Sequence, residues 1–244
     1  MTAQHRNSPP GGQASAYALT PKTFVCIADG VAVFLDLPAD DYLCLDPAQT
    51  AGLRRLLGLQ GGDPAPADVE EDTALAAILM DADLLTIDPH GGKQAAILSG
   101  SAWMRELPRF PVGAGPVVKP RHTAGMLKAY LTARTLLRLR SLEHVVRRVA
   151  ARKAATLSVE HPERERELVE IFLRLRPLLI TRKDQCLLNA LFLIEFLAGF
   201  GVYPDWWFGI RVHPFGAHCW VAKDALLYDE DVETVCEYTP IMRV

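Results

Sequence analysis

The alternation of apolar and polar residues near the start of the chain predicts a small antiparallel sheet. Residues 23–46 contain three short runs rich in β-branched and aromatic side chains, separated at Asp29-Gly30 and again at a Pro-Ala-Asp-Asp sequence. Runs of this length bounded by turn residues are typical of strands joined in a meander.

Two segments with helical spacing follow these strands. The first, over 47–59, begins with Pro47 after Asp46, a pattern typical of a first helical turn and its N-cap. The second covers 68–85. Three strands followed by short helices predict a compact winged-helix-like module over 23–87. We expect a disordered N-terminus over 1–22.

The middle of the chain lacks periodicity. Residues 88–125 hold many of the glycines and prolines, so we expect a linker between two domains there.

The remaining segment, 126–244, changes from helical to strand periodicity. Apolar residues recur at helical spacing over 126–155, and a second helix is expected to begin at Pro162. A third, over 184–200, is apolar nearly all round and is expected to be buried. After Gly201 the period changes to two, which predicts four antiparallel strands. A buried helix leading into a sheet indicates an α+β domain.

The composition, the net charge and the cysteine pattern argue against several classes of function. Half of the 244 residues are hydrophobic and the net charge is −3, so a core can form and nothing attracts the whole chain to nucleic acid or anionic membranes. The five cysteines are scattered without a CxxC pair, which argues against a zinc site and for reduced thiols. No apolar run reaches transmembrane length, and the N-terminus lacks a signal-peptide pattern. We expect a cytoplasmic protein without a metal and without stable membrane insertion.

Basic residues are concentrated on the predicted helix over 126–155. They are Arg134, Arg138, Arg140, Arg147, Arg148, Arg152 and Lys153. A solvated helix face is the first interpretation. A docking face for a partner protein or an acidic peptide comes second. Nucleic acid comes last, because no aromatic residues that stack on bases are interleaved with these charges.

Cys186 occupies a position that suits a nucleophile. It follows Asp184, a candidate helix N-cap, and Arg182 and Lys183 add positive potential. A helix N-terminus favours a thiolate through its dipole and its free N–H groups. A cysteine at the start of a core helix can also be a small packing residue, which is the ordinary interpretation of a cysteine taken alone.

A histidine and two acids follow Cys186 along the chain. His218 lies on a predicted strand, and Asp229 and Glu230 come after it. A helix-start cysteine, a strand histidine and an acid, in this order, are the groups of a thiol protease or an acyl transferase. Strand alternation allows only one of the two acids to face His218.

Three stretches within 178–231 resemble the transglutaminase-like cysteine protease domain of lasso peptide biosynthesis B proteins. They are CLLNALFLIEFLAGFGV, FGIRVHPFGAHCWVAKD and YDED, with the pattern F-x-A-H-x-W-V and the Cys-to-His interval as the specific features. The stretch FVCIADGVAVFLDLPADDYLCLD, followed by helices, is similar to the leader-recognition element of those B proteins in which this element and the protease are fused. The resemblance implies removal of the leader from a ribosomally made precursor peptide.

The resemblance also implies roles for individual residues. Cys186 and His218 match the family's nucleophile and base, and the acid falls on Glu230, with Asp229 as the alternative. For the oxyanion we expect the backbone N–H of Cys186 as the donor, with the side chain of Gln185 as a candidate helper. The ordinary interpretation of Gln185 is an exposed glutamine in the first turn of the helix. Cys219, between the histidine and the tryptophan, is expected to turn away from His218 and to pack in the core.

The implied partners are a leader peptide and a cyclase. The leader would add an antiparallel strand along the third strand, at Leu43, Cys44 and Leu45. An asparagine-synthetase-like cyclase would then close the macrolactam with ATP. This chain contains no GxxxxGK[ST] motif, so we expect no cofactor in it. A transglutaminase-like acyl transferase and a non-catalytic leader-binding scaffold are the alternative functions.

Overall fold

The computed structural model describes residues 16–59, 68–88, 90–98, 100, 104–111, 113–156, 162–180 and 185–244. The strands are β1 (Ala18–Leu19), β2 (Thr23–Ala28), β3 (Val31–Asp36), β4 (Asp41–Cys44), β5 (Leu85–Thr86), β6 (Arg105–Glu106), β7 (Asp205–Arg211), β8 (Gly216–Lys223), β9 (Leu226–Leu227) and β10 (Thr239–Arg243). The helices are α1 (Pro47–Leu57), α2 (Val69–Asp81), α3 (Pro120–Leu139), α4 (Leu142–Ala154), α5 (Pro162–Leu175), α6 (Cys186–Ala198) and α7 (Val232–Cys236).

The predicted N-terminal meander is present as β2, β3 and β4. Asp29 and Gly30 have φ angles of 49° and 81°, as both central residues of a type I′ hairpin turn require. Asp46 caps α1 and accepts a hydrogen bond from the Gln49 N–H at 2.8 Å. Of the segment predicted as disordered, residues 1–15 lie outside the described residues. Part of the remainder forms β1, which pairs with β5.

The three-stranded sheet has a hydrophobic core on each face. On one face, Val25 and Phe34 pack with Leu53 of α1. On the other, Cys26 and Leu35 belong to a larger core that includes residues of α3 to α6 and of the C-terminal strands. β2 also contacts β10. The N-terminal sheet therefore forms one wall of the core of the C-terminal half.

The segment predicted as a linker contains regular structure. β6 pairs in parallel with β9 through Arg105↔Leu226 and Glu106↔Leu227. α3 begins at Pro120 rather than at residue 126, and proline suits a first helical turn because its missing N–H would have no helical partner there. A two-residue strand has no periodicity to detect, which is why the sequence did not indicate this pairing.

The helical stretch predicted over 126–155 is divided between two helices. α3 ends at Leu139, and Ser141 then caps α4 by accepting a hydrogen bond from the His144 N–H at 3.3 Å. Serine is a favoured N-cap because its hydroxyl accepts from a free N–H of the first turn. α5 begins at Pro162, as predicted, and most of α6 is buried, as its apolar sequence indicates.

The C-terminal sheet has the strand order β10-β7-β8-β9-β6. β7 and β8 pair from Asp205↔Ala222 to Arg211↔Gly216. α6 packs against β8, and the side chains of Cys219 and Val221 belong to the core that contains α6. Trp220 belongs to a separate cluster. A buried helix on a largely antiparallel sheet is the predicted α+β arrangement.

Three of the basic residues assigned to a solvated face bind carboxylates of the chain itself. Arg148 and Arg152 donate to the two oxygens of buried Glu195 at 2.6 and 2.9 Å, and Lys153 binds Asp205. The prediction of a solvated face is wrong for these three. Their partners lie on α6 and β7, far away in the sequence, so helical periodicity alone could not indicate them.

Candidate active site

Cys186 is the first residue of α6, the helix that packs on β8. The residue before it, Gln185, is the N-cap and makes no side-chain hydrogen bond to the first turn. The predicted N-cap Asp184 and the cations Arg182 and Lys183 lie outside the described residues. The free N–H groups and the dipole of the helix favour negative charge on the Cys186 sulfur.

The Cys186 sulfur lies against β8. His218 and Cys219 of β8 are the neighbours whose interactions with the Cys186 thiol lower its pKa. Consecutive side chains of a strand point to opposite faces. A single group can reach both residues when it lies beside the edge of the strand rather than above one face.

The geometry of β8 explains why its edge is available. β7 pairs along one edge, whereas β9 pairs on the other edge only near the end of β8. On this second edge the Val221 N–H donates to Asp229 Oδ1 at 3.4 Å. The N–H of Cys219, two residues earlier, points to the same side. At Val221 a side-chain acceptor therefore takes the place of a neighbouring strand.

The ring of His218 lies between Cys186 and an acid. Its Nε2 atom is 3.4 Å from Glu230 Oε1, which leaves Nδ1 for the sulfur. Trp220 is stacked on one side, with ring centroids 6.3 Å apart, and the Tyr238 ring lies at 5.1 Å. The two aromatic rings restrict rotation of the imidazole, so both nitrogen contacts are held together.

The two candidate acids have different surroundings. Glu230 is the acid next to the His218 ring, whereas the Asp229 carboxylate accepts the Val221 N–H. Burial and the charge of Glu230 raise the pKa of Asp229 to about 7. Alternation predicted that only one acid would face the histidine, and in the structure this is Glu230.

The cysteine and the histidine shift each other's pKa in opposite directions. Interaction with the Cys219 side chain, followed by interaction with the His218 ring and its charge, lowers the pKa of Cys186 to about 4 against the effect of burial. Burial disfavours a charged His218, but its interactions with Cys186 and with the Glu230 carboxylate outweigh this effect and raise its pKa to about 9. Near neutral pH the pair is a thiolate and an imidazolium.

A known protein family matches the part of the chain that contains Cys186 and His218. Residues 127–243 match the transglutaminase-like superfamily. The chain therefore carries a transglutaminase-like domain that includes Cys186, His218 and Glu230, and such a domain is compatible with cysteine protease or acyltransferase chemistry. No match to the chain was found among curated proteins or among solved structures.

Gln185 lies directly before Cys186, at the start of α6. It lines a surface depression between α3 and α6 with Arg134, Leu137, Arg138 and Leu188. The backbone N–H of Cys186 belongs to the first turn of α6, where N–H groups have no partner within the helix. This N–H is the donor next to the sulfur, and Gln185 stays a predicted helper.

The predicted leader-binding residues lie on and just after β4, at the edge of the N-terminal sheet. Leu43 is 41 % exposed, and Cys44 is exposed as well. Leu45 is 5 % exposed and packs in the core beneath α1 and α2. The side chain of Leu45 is therefore occupied by the fold, and a peptide on this edge would meet its main chain.

Tyr42 is a residue near the site that sequence reasoning missed. It belongs to β4, but alternation turns its ring to the face of the sheet that packs on the transglutaminase-like domain. Burial, followed by the charge of Asp40 and then those of Cys219 and Cys186, raises the pKa of Tyr42 to about 12. The available signal was strand alternation. The neighbours of Tyr42 on this edge strand point to solvent, so its own side chain points to the core.

Within the described ranges, no group of three or more His, Cys, Asp or Glu side chains could hold a metal ion. Nor does that part of the chain contain a helix with the length and apolar character needed to cross a membrane.

Proposed function

We propose that this protein is a cytoplasmic cysteine peptidase that removes the leader from a ribosomally made precursor peptide in lasso peptide biosynthesis. The observation that carries the proposal is the contact of Cys186 with His218, with Glu230 3.4 Å behind the ring, in a transglutaminase-like domain. Cleavage would free the N-terminus of the core peptide. An asparagine-synthetase-like cyclase that consumes ATP would then use this amine to form the macrolactam.

In the first half of the reaction the Cys186 thiolate attacks the carbonyl carbon of the leader–core bond. The carbonyl oxygen becomes an oxyanion, for which the Cys186 N–H is the donor, with Gln185 beside it. His218 gives its proton to the nitrogen of the core peptide, which leaves as a free amine. Glu230 stabilises the protonated ring and fixes its orientation.

In the second half water releases the leader. His218, now neutral, takes a proton from a water molecule, whose oxygen attacks the thioester. The C–S bond breaks, the leader leaves as a carboxylic acid, and the thiolate–imidazolium pair is restored. No cofactor takes part in either half.

We interpret β2 to β4 with α1 and α2 as a winged-helix-like module that recognises the leader. Among the described residues, no strand pairs with the outer edge of β4. A leader segment adding a strand here would gain main-chain hydrogen bonds, and exposed Leu43 and Cys44 would contact its side chains. Leu45 would contribute main-chain groups only.

Incubation of the protein with a lasso precursor peptide tests the peptidase. Mass spectrometry should find the leader and core as separate products whose masses sum to the precursor plus one water. Cys186→Ala should abolish cleavage and keep leader binding, whereas Cys236→Ala, which removes an exposed cysteine outside the site, should cleave normally. If the precursor stays intact with the parent protein and with Cys236→Ala, under conditions where the leader binds, the proposal is contradicted.

Acyl transfer to an amine is the second candidate, because the transglutaminase-like match and the Cys-His-Glu contacts suit both reactions. A primary amine added to the same incubation distinguishes them. Hydrolysis leaves a leader carboxylic acid, and transfer leaves a leader amide whose mass is that of this acid plus the amine minus one water. A non-catalytic scaffold would instead support full maturation after Cys186→Ala.

A further inference from the structure

Glu230, the acid beside His218, belongs to neither a helix nor a strand. It lies in the segment 228–231, with the sequence Tyr-Asp-Glu-Asp, between β9 and α7. Its Oε1 atom is nevertheless 3.4 Å from His218 Nε2. A segment of this kind has no regular ladder of main-chain hydrogen bonds, so the contacts of its own residues determine its position. The neighbours of Glu230 in the segment therefore decide where its carboxylate lies.

The residues on either side of Glu230 are bound to regular structure. Asp231 Oδ1 accepts the Thr234 N–H at 2.7 Å and caps α7. Asp229 Oδ1 accepts the Val221 N–H of β8 at 3.4 Å. The second distance is longer than a typical N–H···O hydrogen bond, so this contact is the weaker of the two. The Asp229 side of Glu230 needs a further anchor.

Tyr228 supplies that anchor. Its N–H donates to Val221 O at 3.0 Å. Its hydroxyl donates to Glu165 Oε2 of α5 at 2.9 Å, and the residue is 2 % exposed. Hydrogen bonds to a charged acceptor are stronger than those between neutral groups. Tyr228 thus binds the segment to α5 as well as to β8.

Glu165 is a buried carboxylate with a partner for each oxygen. Lys223, at the end of β8, donates to Oε1 at 2.7 Å, and Tyr228 takes Oε2. Burial, followed by the charge of Glu165, raises the pKa of Tyr228 above its ordinary value, so the hydroxyl keeps the proton that it donates. Glu165 is therefore a fixed acceptor that holds the Tyr228 ring in place.

We propose that Tyr228 is a positioning residue that keeps the Glu230 carboxylate beside His218 by binding the segment 228–231 to Glu165 of α5. The Tyr228 hydroxyl contacts none of the reacting groups and acts through the main chain two residues later. Without its bond to Glu165 the segment is tied to β8 alone, and the Glu230 carboxylate moves away from the ring for part of the time. The proposal rests on the roles of His218 and Glu230 in the proposed function.

Several titratable groups face the His218 ring and contribute to its pKa. They are Glu230, Asp229 and Asp231 of the segment, Cys186 of α6, and Tyr238, whose ring centroid lies at 5.1 Å. Replacing Tyr228 by phenylalanine keeps all of them in the chain. Any change in the pKa of His218 then reports a change in their positions.

The pKa of His218 tests the proposal without any peptide substrate. It is measured by NMR titration of protein labelled at histidine, with His218→Gln to assign the signal. Tyr228→Phe removes only the hydroxyl and should lower this pKa by about 0.5–1 pH units, because the imidazolium loses part of its interaction with Glu230. In a Glu230→Gln background the same substitution should have no further effect, since the carboxylate through which it acts is gone.

Thr50→Val is the matched control. Thr50 of α1 is 3 % exposed, and its hydroxyl accepts the Ala32 N–H at 2.9 Å. This variant leaves a buried N–H without its acceptor, just as Tyr228→Phe leaves a buried carboxylate oxygen without its donor. It lies in the N-terminal part of the chain and should leave the pKa of His218 unchanged.

Three outcomes would overturn the proposal: an unchanged pKa of His218 in Tyr228→Phe, an equal shift in Thr50→Val, or the same shift in the Glu230→Gln background. Circular dichroism establishes that each variant folds. If Tyr228→Phe does not fold, Glu165→Gln takes its place, because it weakens the same hydrogen bond by removing the charge of the acceptor. It is measured in both backgrounds, and the absence of a shift that depends on Glu230 would overturn the proposal.

The titration and the cleavage assay fail independently. In the assay Tyr228→Phe should lower kcat roughly threefold to tenfold and leave KM unchanged. A lowered pKa of His218 with no precursor cleavage by the parent protein would support the role of Tyr228 and contradict the leader peptidase. Normal cleavage by the parent with the same pKa of His218 in both proteins would support the peptidase and overturn the role of Tyr228.

Discussion

Tyr42 of β4 and Phe215, in the turn before β8, pack edge to face with ring centroids 5.6 Å apart. This contact joins the edge strand of the N-terminal sheet to the turn that leads into His218. The sheet and the transglutaminase-like domain also share one core. The strand proposed to bind the leader is therefore fixed relative to the strand that carries His218.

We expect Tyr42 and Phe215 to be energetically coupled. Tyr42→Ala, Phe215→Ala and the double variant form a cycle in which the coupling should be about 0.5–1.5 kcal/mol, as for other aromatic pairs. Urea unfolding measures each free energy. Tyr42→Phe keeps the ring and should keep the coupling. Additive effects of the two alanine substitutions would contradict the contact.

The elements that sequence reasoning predicted correctly are those whose signal is local. The Asp29-Gly30 turn requires φ angles that favour these residues, and Pro162 marks the start of α5 because proline suits a first turn. The apolar sequence of α6 likewise indicates burial by itself. Each of these features is decided within a few residues of the chain.

The features that sequence reasoning missed depend on contacts between distant segments. The place of Tyr42 depends on the packing of β4 against a turn far along the chain, and the pairing of β6 with β9 involves two residues on each strand. Whether the edge of β8 is covered near Cys219 depends on where β9 stops pairing with it. Alternation assigns a side chain to a face, but it does not show which strand edge stays open.

The pH dependence of cleavage should have two limbs. Below about pH 4 the Cys186 thiolate gains a proton, and above about pH 9 His218 loses the proton that the leaving amine needs. A profile of kcat/KM for precursor cleavage should therefore be bell-shaped, with a plateau through neutral pH. An acid limb close to the ordinary thiol value, above pH 8, would contradict a preformed ion pair.

Glu230→Gln should lower cleavage on the order of 10²-fold, because the imidazolium loses the carboxylate that stabilises it. Glu230 helps to raise the pKa of His218, so the alkaline limb of the pH profile should also move to lower pH. Glu233→Gln neutralises an exposed glutamate on α7 and serves as the control. If the pH profiles of Glu230→Gln and Glu233→Gln coincide, Glu230 is not the acid that acts on His218.

The ion pairs of Glu195 should matter for stability rather than for docking of a partner. Glu195→Ala leaves Arg148 and Arg152 without their shared carboxylate, and because both arginines are partly exposed the loss of these hydrogen bonds should cost about 1–3 kcal/mol. Arg148→Ala should cost less, since Arg152 still binds Glu195. Arg147→Ala removes a surface ion pair with Glu143 and a contact with His144 and should change the unfolding free energy by less than about 0.5 kcal/mol. Equal costs for all three would contradict this interpretation.

Asp229 should make the protein less stable as the pH rises. Its pKa is raised from an ordinary value of 3.8 to about 7, so between these values the folded state binds more protons than the unfolded state. By linkage the free energy of unfolding then falls from about pH 4 to about pH 7, by at most roughly 4 kcal/mol. Asp229→Asn stays neutral and keeps an oxygen for the Val221 N–H, so it should be more stable than the parent at pH 8 and similar to it at pH 4.

Urea unfolding at pH 4, 6 and 8 measures this difference, and Asp231→Asn provides the contrast. Asp231 caps α7 and accepts the Thr234 N–H at 2.7 Å, an interaction that lowers its pKa. A lowered pKa stabilises the fold at neutral pH and loses that effect as the pH falls. Asp231→Asn should therefore destabilise at pH 8, opposite in sign to Asp229→Asn. If both variants changed the free energy of unfolding at pH 8 in the same direction, a raised pKa of Asp229 in the folded state would be contradicted.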